Sequence, residues 1–103
     1  MTSQQSEIAD IAARVARGEL DLVVGCRMLV SRCASLDTAV RSHPAVLTIA
    51  GFESETDHFP LGAARDRWDA ARLDELDRER AEYSARCQVS ICDACQELVA
   101  LLG

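Results

Sequence analysis

The sequence has no lysine, two prolines and four aromatic residues, and its longest uninterrupted apolar stretches are four to five residues. A transmembrane helix needs about 20 consecutive apolar residues, so none is predicted. The first residues, MTSQQSE, lack the basic and apolar regions of a secretory signal, which favours a cytoplasmic protein. Glycine-rich phosphate loops and the motifs G-x-S-x-G and H-E-x-x-H are absent. We therefore expect a protein that is not an enzyme and has no cofactor.

The residues that are present suffice for one folded domain. The chain has 103 residues, of which 49% are hydrophobic and 27% are charged. A domain of this size can bury a core of its own without disulfides or metal. We expect residues 1–103 to form a single helical domain in which 1–5 are frayed.

Apolar residues recur at the three- and four-residue steps of an α-helix along the whole chain. Ser3 or Ser6 is expected to cap the first helix. Gly25 predicts close packing of the second helix, because a glycine inside a helix costs about 1 kcal/mol relative to alanine. Residues 45–50 also fit a buried strand, but no other segment could pair with it. The fold class is therefore all-α, a compact bundle of about four helices with a long C-terminal helix. The first predicted helix ends at Gly18, and the second begins near Asp21. The third spans about 45–52, and the last spans about 69–102.

The last helix is long for a domain of this size. Its apolar stripe runs from Leu73 and Leu76 through Ile91 to Leu101. A helix of about 34 residues would span about 51 Å. Three outcomes are open: the helix overhangs the bundle, it bends near 84–90, or the overhang is an interface, for example in a homodimer.

Charge is segregated along the chain. The formal net charge is −6, and residues 53–82 contain ten acidic residues against five arginines, whereas 1–52 contain five of each. A nucleic-acid or anionic membrane partner would need clustered cations, and here the arginines alternate with acids. We instead predict a basic protein as the partner. The predicted partner-binding residues are Glu53, Glu55, Asp57, His58, Arg67, Arg72, Asp74, Glu75, Glu79 and Glu82.

The segment 53–62 is predicted to be a loop, because a proline and a glycine interrupt it. In the structural interpretation its hydroxyl residues cap backbone groups, and Glu55 or Asp57 holds Arg65. Trp68 is expected to seal the core beneath the loop, with an interface anchor as the alternative. The expected structural residues are Ser54, Thr56, Pro60, Gly62, Arg65 and Trp68.

The same loop also has functional interpretations. Glu53, Glu55, Asp57 and His58 lie within six residues of each other. Carboxylates with an imidazole could bind a divalent metal ion, contact a partner, or act as the acid and base of a small helical enzyme. These alternatives stay open beside the structural interpretation.

Five cysteines form two groups. Cys26 and Cys33 fall on the apolar stripe of the second helix, which predicts buried thiols. The second group is Cys87, Cys92 and Cys95. Cys92 and Cys95 are neighbours on one face of the last helix and could supply half of a zinc site, which His43, His58 or Cys26 would complete. The alternative function is therefore a zinc- or redox-responsive small helical protein that uses this C-terminal cysteine cluster.

The stretch Ser54-Glu55-Thr56-Asp57-His58-Phe59-Pro60-Leu61-Gly62, followed by Arg65 and Trp68, resembles a small uncharacterised bacterial family. The loop of that family reads S-E-T-D-x-x-P-x-G-x-x-R-x-x-W, and the resemblance extends over the chain from about Ile11 onward. It implies a helical fold and no known catalytic activity. Short acidic proteins of this kind resemble the immunity partners of bacterial toxins, so the resemblance implies an inhibitor whose partner is a cognate toxin.

Overall fold

A computed structural model of the chain describes residues 2–103. They form five α-helices and one 3₁₀ helix, and no strand occurs among them. The all-α fold with a long C-terminal helix is thus confirmed. The elements are α1 (Ser3–Ala16), α2 (Leu22–Cys33), α3 (Thr38–Arg41), α4 (Pro44–Thr56), the 3₁₀ helix (Gly62–Arg67) and α5 (Ala70–Leu102).

Helix α1 begins earlier than either predicted cap would allow. The hydroxyl of Thr2 accepts a hydrogen bond from the N–H of Gln5 at 3.1 Å, and the Gln5 side chain accepts one from the N–H of Thr2 at 3.0 Å. This reciprocal capping box satisfies two N–H groups that the helix leaves unpaired. The predicted caps Ser3 and Ser6 are therefore wrong, because Thr2 is the N-cap and Ser3 is already helical. Met1 lies outside the described residues.

The hairpin between α1 and α2 depends on two glycines. Gly18 has φ of 76°, a left-handed conformation that ends α1 at little steric cost. Asp21 then caps α2 by accepting a hydrogen bond from the N–H of Val24 at 2.9 Å. Gly25 faces α1, and a Cβ built on it would collide with Cγ2 of the buried Val15. The close approach predicted from Gly25 is confirmed.

Helix α5 is the element on which the others assemble. It packs mainly against α1 and α4, and α2 packs against both of those helices. Leu101 was expected to face the core, but it is exposed and Leu102 is buried in its place. The core contains, among others, Ile8, Val15, Leu29, Ile49, Ile91 and Leu98.

The middle of the chain is more helical than expected. Helix α3 is a single turn between α2 and α4, where no helix was predicted, and α4 continues to Thr56, four residues beyond the predicted end at Phe52. His43 is the N-cap of α4, because its Nδ1 accepts a hydrogen bond from the N–H of Ala45 at 3.1 Å. Pro44 occupies the first helical position, where it needs no hydrogen-bond partner for its nitrogen.

The first half of α5 extends beyond the main core. Leu76 is the buried residue of this half, and it lies outside the core cluster that the other helices share. The molecule measures 45 × 24 × 23 Å, so this helix determines its long dimension. The overhang beyond the main core is thus observed, whereas an interface on it, for example in a homodimer, stays a prediction. Within residues 2–103, no helix is both long enough and apolar enough to cross a membrane.

Candidate functional site

Half of the ten acidic residues in 53–82 lie on the overhanging helix. Alternating steps of three and four residues place side chains on one face of a helix, and this spacing joins the predicted acids to others further along α5. All of the residues concerned are exposed. We call this row the acidic stripe: Arg72, Glu75, Glu79, Glu82, Arg86, Ser90, Asp93 and Glu97.

The acidic stripe is only partly neutralised. Arg72 donates to Glu75 at 2.8 Å. Among residues 2–103, the carboxylates of Glu79, Glu82, Asp93 and Glu97 have no ion-pair partner. Five carboxylates and two guanidinium groups therefore leave an uncompensated negative charge along this face.

Not every predicted partner-binding residue joins the stripe. Asp74 precedes Glu75 by one residue and therefore projects about 100° away from it around the helix. Arg67 is exposed at the end of the 3₁₀ helix, before α5 begins. Asp93 and Glu97 were not among the predicted residues, although their helical spacing from Glu82 places them on the same face.

The predicted loop 53–62 is in part a helix. Glu53, Ser54, Glu55 and Thr56 form the last turn of α4, and Asp57 is its C-cap. Glu55, Asp57 and His58 are exposed, whereas Glu53 is half-buried. These side chains therefore project in different directions around the helix end.

The predicted roles of the two hydroxyl residues are wrong. The Thr56 hydroxyl is buried and donates to the carbonyl of Phe52 at 2.8 Å, inside α4. Ser54 is exposed in the middle of the last turn, so neither residue caps a helix. Pro60 is buried beyond the helix, and Gly62 has φ of 58°, in agreement with a structural role for both residues.

Arg65 is held by a carboxylate, but not by either one predicted. Its Nη1 and Nη2 donate to the two oxygens of Asp77, both at 2.9 Å. This bidentate hydrogen bond lowers the pKa of Asp77. The prediction that Glu55 or Asp57 holds Arg65 is wrong, since the 3₁₀ helix is fixed to α5 and not to the end of α4.

A second ion pair fixes the overhanging helix to α2. Arg80 donates to Asp21 at 2.7 Å, although the two residues are 59 positions apart. Burial acts to raise the pKa of Asp21, but hydrogen bonds from the Val24 N–H and from Arg80 outweigh it, so the pKa is lowered. Together with Arg65 and Asp77, this pair lines an open cleft of about 360 Å³. The charges in the cleft compensate one another, so it contributes little to the field of the stripe.

Arg27 of α2, which was not among the predicted site residues, contacts the backbone at the end of α4. Its guanidinium donates to the carbonyl of Thr56 at 2.8 Å and to the carbonyl of Phe59 at 3.3 Å. A cation at the C-terminus of a helix also interacts favourably with the helix dipole. Helix α2 therefore satisfies the backbone at the end of α4, which explains why α4 extends further than its apolar pattern indicates.

Trp68 does not seal the core. Its side chain is 41% exposed at the end of the 3₁₀ helix. Phe59 is buried instead, with the exposed His58 ring against it at a centroid distance of 4.1 Å. The structural role assigned to Trp68 is wrong, and the exposed indole agrees with the alternative of an interface anchor.

Tyr83, which was not among the predicted site residues, borders the acidic stripe on the side of α4. Its ring is stacked on Phe52, with centroids 5.6 Å apart and planes 3° apart. The guanidinium carbon of Arg86 lies 5.6 Å from the centroid of the tyrosine ring, within cation–π range. A cation thus lies against an aromatic ring within the negative face.

The cysteines pack as apolar groups. Cys26 and Cys33 are buried as predicted, and Cys95 is buried beside them in the core. Burial raises the pKa of the Cys95 thiol to about 12 and that of Cys26 further still, which disfavours reactive thiolates. Cys92 is half-buried, and its thiol lies 3.9 Å from the carbonyl oxygen of Val15.

Metal ligation has no geometric support in the described part of the chain. Among residues 2–103, no three His, Cys, Asp or Glu side chains come together as a metal ion would require. This applies to the carboxylates and His58 at the end of α4 as well as to Cys92 and Cys95. The described residues thus add nothing in favour of the zinc- or redox-responsive alternative.

Comparisons with protein-family models, curated proteins and solved structures found no match. The resemblance of residues 54–68 to a bacterial family therefore stays a prediction.

Proposed function

We propose that this chain is a protein-binding module, an inhibitor of the immunity or antitoxin type, whose acidic stripe docks on a basic partner protein in the bacterial cytoplasm. The observation that carries the proposal is the row of exposed carboxylates on α5 that lack ion-pair partners among residues 2–103.

In the free protein, repulsion between the carboxylates of the acidic stripe destabilises α5, which supports the proposal. Glu75 and Glu79 are four residues apart, as are Asp93 and Glu97. Like charges at this spacing destabilise a helix by about 0.2–0.5 kcal/mol per pair. A partner that brings cations to the face removes this repulsion, so the proposed complex relieves a penalty that the isolated fold retains.

The charge also indicates the kind of partner. A toxin surface that binds nucleic acid or phosphate is basic, and the acidic stripe would compete for it by imitating a row of anions. Opposite charges accelerate the encounter of two proteins, and salt weakens that attraction. Arg67 and Trp68, both exposed near the start of α5, are positioned to add contacts at the rim.

Native mass spectrometry of the tagged protein, purified gently from its host, tests the proposal. A stoichiometric second protein is expected at low salt and should be lost at high salt. The variant Glu79→Arg/Glu82→Arg should lose it at every salt concentration, because two repulsive charges replace two attractive ones.

Asp10→Arg/Asp37→Arg is the matched control. These acids are exposed on α1 and at the start of α3, and their reversal changes the net charge by the same amount. The control should keep the partner, and circular dichroism should show that both variants are folded. A complex that is insensitive to ionic strength, or that both double variants lose equally, would refute the proposal.

A further inference from the structure

The acidic stripe is not uniform along its length. At its border the half-buried ring of Tyr83 lies between α5 and α4. Glu79 precedes Tyr83 by four residues and therefore lies beside it on the helix surface. Glu55 of α4 is close enough that its charge contributes, after burial and Cys87, to raising the pKa of Tyr83.

The ring lies at the contact between two helices, because it stacks on Phe52 of α4. Glu55 follows Phe52 by three residues and is therefore its neighbour on the surface of α4. Negative charge and an aromatic face therefore occur together between α4 and α5.

Within the protein itself, Arg86 already binds at this negatively charged aromatic surface. Its guanidinium lies over the Tyr83 ring, one helical turn after the carboxylate of Glu82. In residues 2–103 Arg86 has no ion pair and no side-chain hydrogen bond that would hold it elsewhere. A planar, delocalised guanidinium stacks on aromatic rings better than an ammonium does.

We propose that the Tyr83 ring, with Glu55 and Glu79 beside it, is the site where the acidic stripe binds an arginine side chain of its basic partner. Arg86 occupies this site in the free protein and is displaced on binding. The inference rests on the proposed function, because it specifies where and by which chemistry the stripe recognises a cation.

Removal of Arg86 should therefore strengthen binding for two reasons, the lost positive charge and the vacated ring. Arg72→Ala separates them, because it removes the same charge from the stripe at a position remote from Tyr83. With an oligoarginine peptide at low salt, calorimetry should give tighter binding to Arg86→Ala than to Arg72→Ala by about two- to fivefold, the size of an exposed cation–π contact.

The tyrosine ring supplies the second measurement. The chain has one tyrosine, so ring labelling yields a single set of NMR signals. These signals should shift on titration with oligoarginine, and less with an oligolysine of equal length. Two further variants are made in the Arg86→Ala background. Adding Tyr83→Phe should leave oligoarginine binding tighter than to Arg72→Ala, whereas adding Tyr83→Leu should abolish this difference in affinity.

The outcomes separate this inference from the proposed function. Equal affinities of Arg86→Ala and Arg72→Ala, with unshifted Tyr83 signals, would overturn the inference. If Glu79→Arg/Glu82→Arg still abolished peptide binding in that case, the acidic stripe would remain the docking face. Neither the Arg86→Ala comparison nor Tyr83→Phe removes the aromatic stacking, so the test does not depend on whether Tyr83→Leu folds.

Discussion

Gly25 and Gly51 both lie inside α-helices, but Gly25 is tightly packed and Gly51 is not. Gly25 contacts α1 so closely that a Cβ would collide with the buried Val15, whereas Gly51 has open space around it. Val15 is β-branched and helical, so its side chain cannot rotate away cheaply.

We expect Gly25→Ala to lower the free energy of unfolding by about 1–3 kcal/mol through overpacking. Gly51→Ala should raise it by about 0.5–1 kcal/mol, because alanine reduces the entropy of the unfolded chain. Urea unfolding followed by circular dichroism measures both. Equal effects of the two substitutions would contradict the packing argument.

Arg27 is the second residue whose role is local and measurable. Arg27→Met keeps the length of the side chain but removes its hydrogen bonds to the carbonyls of Thr56 and Phe59. The expected loss in unfolding free energy is about 1–2 kcal/mol. Arg32→Met on the same helix removes a pair with Glu7, whose side chain is 56% exposed, and it should cost less than about 1 kcal/mol. An equal loss for both arginines in urea unfolding would argue against the capping role.

Residue-level partners were the least predictable part of the molecule. Arg65 had two acids nearby in sequence, yet it pairs with Asp77, twelve positions away. Arg27 and Thr56 are 29 positions apart, and nothing in either neighbourhood identifies the other. Trp68 was assigned to the core from the general burial of tryptophan, but the buried aromatic of this segment is Phe59. Such pairings depend on how helices pack, which periodicity along one helix does not contain.

At the scale of elements, Asp21 both caps α2 and connects it to α5. One carboxylate oxygen caps α2 and also accepts the hydrogen bond from Arg80 of α5. Because the folded protein lowers the pKa of Asp21, the ionised carboxylate stabilises the fold above the unfolded pKa. That contribution disappears as the pH falls through the folded value, below about pH 4.

Asp21→Asn isolates the charge, since asparagine is an equally good N-cap. At pH 7 the variant should be less stable than the wild type, by less than about 1 kcal/mol because the ion pair is partly solvated. The difference should shrink between pH 5 and pH 3, as measured by urea unfolding at each pH. Asp77 also loses charge in this range, but it does so in both proteins. A difference that stays constant with pH would mean that Arg80 contributes nothing through Asp21.

Elements with strong local signals were predicted well. The stop at Gly18, the start at Asp21 and the long run of α5 follow from a left-handed glycine, an N-cap and a sustained apolar period. The end of α4 was misplaced because Glu53–Thr56 is polar and precedes Pro60. Its last turn is satisfied by Arg27 of another helix, and this tertiary contact overrides the local signal.

At the scale of the whole molecule, the segregation of charge opposes stability. Glu79 has acidic neighbours at Glu75 and Glu82 on the same face of α5. We expect Glu79→Arg to raise the free energy of unfolding by about 0.5 kcal/mol at low salt, because it turns two repulsions into attractions. The gain should fall toward zero at about 1 M salt, where charges are screened within about 3 Å. Urea unfolding at both salt concentrations provides the measurement.

Asp10→Arg makes the same change in net charge without the same neighbours. Arg14 lies four residues further along α1 and would be repelled by the new arginine. This control should show no gain in stability. If it gained as much as Glu79→Arg, net charge alone and not the stripe would explain the effect.

The sequence thus allowed the architecture and the sign of the candidate surface to be predicted, but not the shape of that surface. Glu75, Glu79 and Glu82 were identified from composition, and helical spacing then adds Asp93 and Glu97. Asp74 was included because it is acidic and close in sequence, although the helix turns it away. The Tyr83 site needed the stacking of α4 on α5, which no local pattern specifies.

The exposure of Trp68 has a consequence for spectroscopy. It is the single tryptophan of the chain, and its indole already contacts solvent in the native protein. Unfolding uncovers only the part of the side chain that is still shielded, so its emission should change less than that of a fully buried indole. A macromolecule that covers the start of α5 would instead dehydrate the indole and shift its emission to shorter wavelengths. Intrinsic fluorescence therefore suits this protein as a probe of complex formation better than as a probe of folding.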